Sequence, residues 1–122
     1  MNWGKVLSII KKTISKNLQI DSDSEYRFVI EIPPYECNTY DYNGTEGYKI
    51  QIGKTASLEV PISMLKNIYE SSMKNARTYN NSVFKSLYPR QLENRGCHVQ
   101  VIGKIFEKSG IAVKENREFK LL

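Results

Sequence analysis

Residues 95–122, RGCHVQVIGKIFEKSGIAVKENREFKLL, decide how the rest of the chain is read. Taken as a helix, the stretch puts Val101, Ile102, Ile105 and Phe106 on one stripe and Gln100, Gly103, Lys104 and Glu107 opposite. The same residues admit a strand, because Cys97, Val99 and Val101 alternate with His98 and Gln100, and residues 107–110 would then form a hairpin turn. The alternation loses its phase at Val101-Ile102, whereas the helical stripe runs unbroken to Phe106, which favours the helix. Ser109-Gly110 stops it, since glycine enters the left-handed conformation that helix ends need. Ile111-Ala112-Val113 and residues 118–122 then read as two short strands around Lys114-Glu115-Asn116-Arg117.

Working upstream, Pro61 opens a helix whose stripe is Leu65, Ile68, Tyr69, Met73 and Ala76, ending at about Lys74 to Arg77. Asn80, Asn81 and Ser82 cap a short second helix, Val83 to Tyr88, which Pro89 forbids from continuing. Arg90 to Gly96 reads as a polar, basic connection. Helix, turn, short helix, connection, helix and ribbon over residues 61–122 resemble a winged-helix DNA-binding domain. The resemblance implies that the last helix presents Arg95, Gln100 and Lys104 to a groove of double-stranded DNA. It further implies that Lys108, Lys114, Arg117 and Lys120 hold phosphates from the helix end and wing, with Arg90 as one more contact.

Nearer the start, Trp3, Val6, Leu7, Ile10, Ile14 and Leu18 recur at spacings of three and four, so residues 1–20 are expected to hold an amphipathic helix of four to five turns. Core packing is preferred to a membrane surface for its stripe, although Lys5, Lys11, Lys12 and Lys16 border it. Tyr26–Ile32 alternates as a strand and Pro33-Pro34 ends it. Asn43-Gly44 signals a hairpin from which Tyr48–Ile52 returns, and residues 56–60 add a third strand. The expected architecture is therefore α+β in one domain, residues 1–122: an N-terminal helix (1–20), a small antiparallel sheet (25–60), and a winged-helix-like part (61–122) of three helices and a terminal β-ribbon.

Charge is divided unevenly along the chain. The net value is +5, yet residues 21–60 carry an excess of acids while both flanks are basic. A basic C-terminal half is the field that phosphate backbones select. Two cysteines, Cys37 and Cys97, are too few for a disulfide framework and are not spaced as zinc ligands, so both are expected to be reduced thiols. His98, the single histidine, is expected in the core, and adjacent Cys97 and His98 stand about 100° apart on a helix, which makes no nucleophile–base pair. Glu118-Phe119-Lys120 matches a short acid-x-lysine nuclease element without its upstream acid. Gly53-Lys54-Thr55 and Gly103-Lys104 lack the glycine spacing of a phosphate loop. No enzyme activity, metal or cofactor is expected. No stretch resembles a signal peptide or a membrane span, so a cytoplasmic protein is expected.

A second reading belongs to another class. Short basic chains rich in lysine, asparagine and isoleucine resemble products of AT-rich phages and mobile elements, which include inhibitors of host defence proteins of the anti-restriction or anti-CRISPR type. Under that resemblance the acidic, tyrosine-rich hairpin with Tyr40, Asp41, Tyr42 and Glu46 imitates phosphate in a host protein's nucleic-acid channel. Should the chain form a homodimer, which the sequence leaves open, Trp3 and its helix could supply the contact.

Overall fold

A computed structural model describes residues 1–94 and 97–122. Helix α1 spans Trp3–Thr13, begun by the Asn2 side chain, which accepts from the Lys5 amide. Val6 and Ile10 are buried on it. It is shorter than its stripe suggests, because Ile14 turns extended and Asn17 is left-handed with φ 73°. The chain then runs beside the first strand: Asn17 N donates to Val29 O, Val29 N to Leu18 O, and Ile20 N to Arg27 O. Leu18 thus joins a ladder rather than a fifth helical turn.

Strands β1 (Phe28–Glu31), β2 (Gly47–Gln51) and β3 (Ser57–Pro61) form an antiparallel sheet in the order β1-β2-β3. Val29 opposes Ile50 and Ile50 opposes Leu58, while Tyr48 opposes Val60, and all five are buried. Period-two alternation places Lys49 and Glu59, also partners, on the other face. The segment 35–42 ahead of the expected Asn43-Gly44 hairpin is not a strand, although Glu36 bridges to Glu46. It is a loop with one 3-10 turn, Tyr40–Tyr42, and Gly44, at φ 83°, closes it by donating to Cys37 O.

Helix α2 (Ile62–Lys74) buries Met64, Leu65, Ile68 and Tyr69. Ala76 and Arg77, at φ 51° and 57°, reverse the chain into β4 (Thr78–Tyr79), a strand that the helical stripe of this region conceals. Helix α3 (Asn81–Leu87) is capped by Asn80, whose side chain accepts from Val83 N. Pro89, expected to end helical structure, instead starts α4 (Pro89–Asn94), so most of the expected connection is helical. Proline is well placed at a first turn, where no backbone donor is required.

Helix α5 (Cys97–Lys108) and strands β5 (Ala112–Glu115) and β6 (Glu118–Leu121) match the helix and ribbon read from residues 95–122. The second sheet is antiparallel in the order β4-β6-β5. Asn116, at φ 57°, makes the tight turn with Arg117. Side chains from both halves meet in one core, where Tyr79 stands edge-on to Phe106 and beside Phe119, and Tyr69 is edge-on to Phe106. Tyr69 also meets Trp3, so the tryptophan packs against α2 and is only partly exposed.

Candidate functional site

Three of the expected phosphate contacts lie on the terminal ribbon, Lys114 and Lys120 on its opposite faces and Arg117 in its turn, and Lys108 ends α5 just before it. Lys108, Lys114 and Arg117 are exposed, and Lys120 is half-buried with its Nζ donating to Thr78 Oγ1 at 2.7 Å. Lys114 Nζ stands 5.9 Å from the Phe119 ring centre. Among the described residues none of these four cations pairs with a carboxylate, whereas Lys11, Lys16, Arg90 and Lys104 each do. Arg77, which the sequence reading assigned to a helix, stands beside them: its carbonyl accepts from Leu121 N, and the residue is exposed. The signal for it lay in finding β4, and a two-residue strand leaves no periodicity.

The last helix is placed differently from the expectation. His98, Val101, Ile102, Gly103, Ile105 and Phe106 are all buried, so burial wraps more than half of its circumference. Gly103, expected on the open side, is covered by Phe119. Gln100 is only partly exposed, and the Lys104 side chain is 13% exposed and pairs with Glu107 at 3.0 Å. Lys104 is therefore held on its own helix by an acid one turn on, and the groove-facing role assigned to it is corrected. Arg95 lies outside the described residues. Arg90 belongs to the other end of the assignment: its side chain is 72% exposed and its Nη1 lies 3.3 Å from Asp41 Oδ1.

The acidic loop is anchored by one carboxylate. Glu59 is 5% exposed and accepts from the Asn38 amide (3.0 Å), the Thr39 amide (2.8 Å), Thr39 Oγ1 (2.5 Å) and the Tyr35 hydroxyl (2.5 Å). Burial pushes this carboxyl up, but the hydrogen bonds from Thr39, Tyr35 and the Asn38 and Thr39 amides outweigh it and hold the group below its ordinary value. The Glu59 carbonyl accepts from Tyr42 Oη and lies 3.0 Å from His98 Nε2, whose ring stacks on Phe84. His98, 3% exposed, is thus a core residue, as expected. Of the loop acids, Asp41 is held by Arg90 and by Gln91 Nε2, and Glu46 lies 3.6 Å from Lys11. The Tyr40 side chain lies outside what is described.

Between this loop, β2, β3 and helices α4 and α5 lies a half-enclosed pocket of about 320 Å³, with Tyr42, Leu58 and His98 among its walls. Sequence reasoning did not foresee it, because its lining comes from segments up to 60 positions apart. Among the described residues no cluster of His, Cys, Asp and Glu is arranged to hold a metal, and no helix is long and apolar enough to cross a membrane.

Both cysteines are free. Burial first, and the nearby Glu59 charge second, push the Cys37 thiol up to about 11. At about pH 8 only about one molecule in a thousand then carries its thiolate, the form that reacts. Labelling the native protein with a thiol-reactive disulfide reagent should modify Cys97 alone, and Cys37 only on denaturation; rapid loss of both thiols would contradict this environment.

No protein-family model, curated protein or solved structure matches the chain.

Proposed function

We propose that this chain binds nucleic acid, double-stranded DNA first, without catalysing a reaction, and that its contact surface is the C-terminal ribbon rather than the face of the last helix. The observation that carries this reading is the run of unpaired cations from the end of α5 through the ribbon, in the basic C-terminal half of the chain. Lys108, Lys114, Arg117 and Lys120 form no ion pair with a carboxylate among the described residues, and exposed Arg77 adjoins them. Cations already paired in the fold gain little from a phosphate, whereas these release counterions from the polymer at no cost of a broken pair. The succession α2, β4, α3, α4, α5 and the β5–β6 ribbon keeps the helix, short helix, helix and ribbon of the winged-helix resemblance, with α4 standing in the expected connection. With α5 enclosed, a ribbon-led contact suits the fold better than a groove-reading helix, and strands are known to enter grooves.

The inhibitor reading ranks lower, because Asp41 and Glu46 are partly neutralised by Arg90 and Lys11 and so imitate phosphate poorly.

Titration of a labelled duplex at several salt concentrations tests the reading. Four phosphate contacts give a slope of about −3.6 in log K against log salt, and each lost contact removes about 0.9 of it. Reversing Lys114 and Arg117 to glutamate should flatten the slope by about 2 and weaken binding strongly at low salt, while Arg90→Glu should leave the slope unchanged. A double variant that titrates like the parent would reject the ribbon as the contact surface.

A further inference from the structure

Away from the ribbon and the acidic loop, the fold encloses a cation without giving it an anion. Arg27, just ahead of β1, is half-buried, and its Nε and Nη1 are both buried without a hydrogen-bond partner among the described residues. No carboxylate among those residues pairs with it. Its remaining nitrogen, Nη2, donates to Cys97 Sγ at 3.6 Å, across 70 positions of chain. Arginine stays protonated in proteins, so the charge is not relieved by loss of a proton. A thiol sulfur is a weak acceptor and leaves that charge nearly uncompensated, whereas the buried Glu59 carboxylate is answered by donors on every side.

What is missing is an anion at the position of that sulfur, and the sulfur is able to become one. Cys97 is free and only half-buried, so a small solute reaches it. With hydrogen peroxide, the thiolate attacks one oxygen: an S–O bond forms, the O–O bond breaks, hydroxide leaves, and the sulfur is oxidised by two electrons to a sulfenic acid. A second peroxide repeats the step, releases water, and gives a sulfinic acid, which loses its proton to solvent. The sulfinate carries two oxygens on one atom, as a carboxylate does on carbon, and a guanidinium holds such a group through a fork of two N–H donors. Nη2 belongs to both forks, one shared with Nε and the other with Nη1. Whichever fork faces the sulfur, its second nitrogen is one that now lacks a partner.

We propose that Cys97 is a site of peroxide modification whose sulfinate is held by Arg27, fastening the first residue of α5 to the approach to β1. Adding oxygen to a packed cysteine ordinarily destabilises a fold, because it puts a charge where there was an apolar sulfur. Here the sign is reversed, since the new oxygens answer a buried cation that already stands alone. Cys37 does not compete for the oxidant: it is 1% exposed and has the Glu59 charge beside it. No ribbon cation takes part, so the proposal stands apart from the nucleic-acid reading.

The test is peroxide treatment of the full chain, followed by peptide mass mapping and thermal melting. Cys97 should gain two oxygens while Cys37 stays reduced, and the melting point should rise by about 4 °C, the order that one charge-assisted pair gives in a domain of this size. Cys97→Ser protein treated alike corrects for oxidation of the methionines. In Arg27→Met protein the same two oxygens should lower the melting point, because the anion then meets no cation. A second comparison needs neither peroxide nor a change at Arg27: Cys97→Asp and Cys97→Asn are nearly equal in shape and differ in charge, and the aspartate protein should melt higher. A Cys97 that does not gain two oxygens, a parent that melts lower once its sulfinate has formed, or a rise that survives Arg27→Met would each overturn the proposal. So would a Cys97→Asp protein that melts no higher than Cys97→Asn.

Discussion

Replacing Glu59 with alanine should cost about 3–5 kcal/mol, the usual penalty when buried donors lose a charged acceptor. Four donors depend on this one side chain: the amides of Asn38 and Thr39, the Thr39 hydroxyl and the Tyr35 hydroxyl. Asn38 and Thr39 are exposed, so water can replace part of what they lose, which keeps the expectation at the lower end of that range. The damage should be local as well as global. Amide exchange at residues 35–42 should speed up more than exchange in α2 or α5, because nothing else ties Asn38 and Thr39 to the sheet among the hydrogen bonds of the described residues. Glu59→Gln preserves the volume but turns an NH₂ toward donors, so it should fall between parent and alanine. An alanine variant with parental urea midpoint and loop exchange would refute the anchoring role.

The same carboxylate sets an acid limit. Its folded value is depressed, so its contribution is present in full above the unfolded value of about 4.3 and disappears as pH falls through the folded value. Parent and Glu59→Gln proteins should therefore differ in stability at about pH 7, and the difference should shrink progressively as pH falls below about 4.3. A difference that stays constant down to about pH 2 would show that charge on Glu59 does not contribute.

Gly103→Ala should be the second costly change, at about 2 kcal/mol or more. On an exposed helix this substitution gains about 1 kcal/mol, since alanine is the best helix former and glycine among the worst. Here an added Cβ would overlap the Phe119 ring, which lies against the helix backbone and is itself 2% exposed. The ring cannot withdraw freely, because Tyr79 stands beside it, with ring centres 6.0 Å apart. The sign of the effect is thus opposite to that of helix propensity. Phe119→Leu should recover part of the loss in the Gly103→Ala background, so the two changes should be less than additive in denaturant titrations. Additive costs would mean that the glycine matters for some reason other than this contact.

Much of the fold was legible because hydrophobic period survives in a single sequence. The stripe through Phe106 and the stop at Gly110 specified α5, Leu65–Tyr69 specified α2, and alternation specified β1 and β2. What escaped were elements without a period of their own. Two-residue β4 exists because Thr78 and Tyr79 find Lys120 and Phe119 forty positions on. The end of α1 is likewise decided by a distant partner, since Leu18 leaves its stripe to bond with Val29.

The candidate site divides along the same line. Residue identity alone placed Lys114, Arg117 and Lys120 in or beside a ribbon turn, because a short turn between short strands is a local property. Local sequence also gave α5 its apolar stripe, but not how far around the helix burial would extend. That was decided by Phe119 closing over Gly103 and by His98 meeting Glu59, contacts between residues 16 and 39 positions apart. Whether a lysine is free or paired is a question of the same kind: Lys11 and Lys114 are alike as letters, and only the assembled chain puts the Glu46 carboxylate 3.6 Å from the first and an aromatic ring beside the second. Periodicity is written within one element and can be read there, whereas charge pairing and enclosure are relations between elements and come into being only when the chain closes on itself.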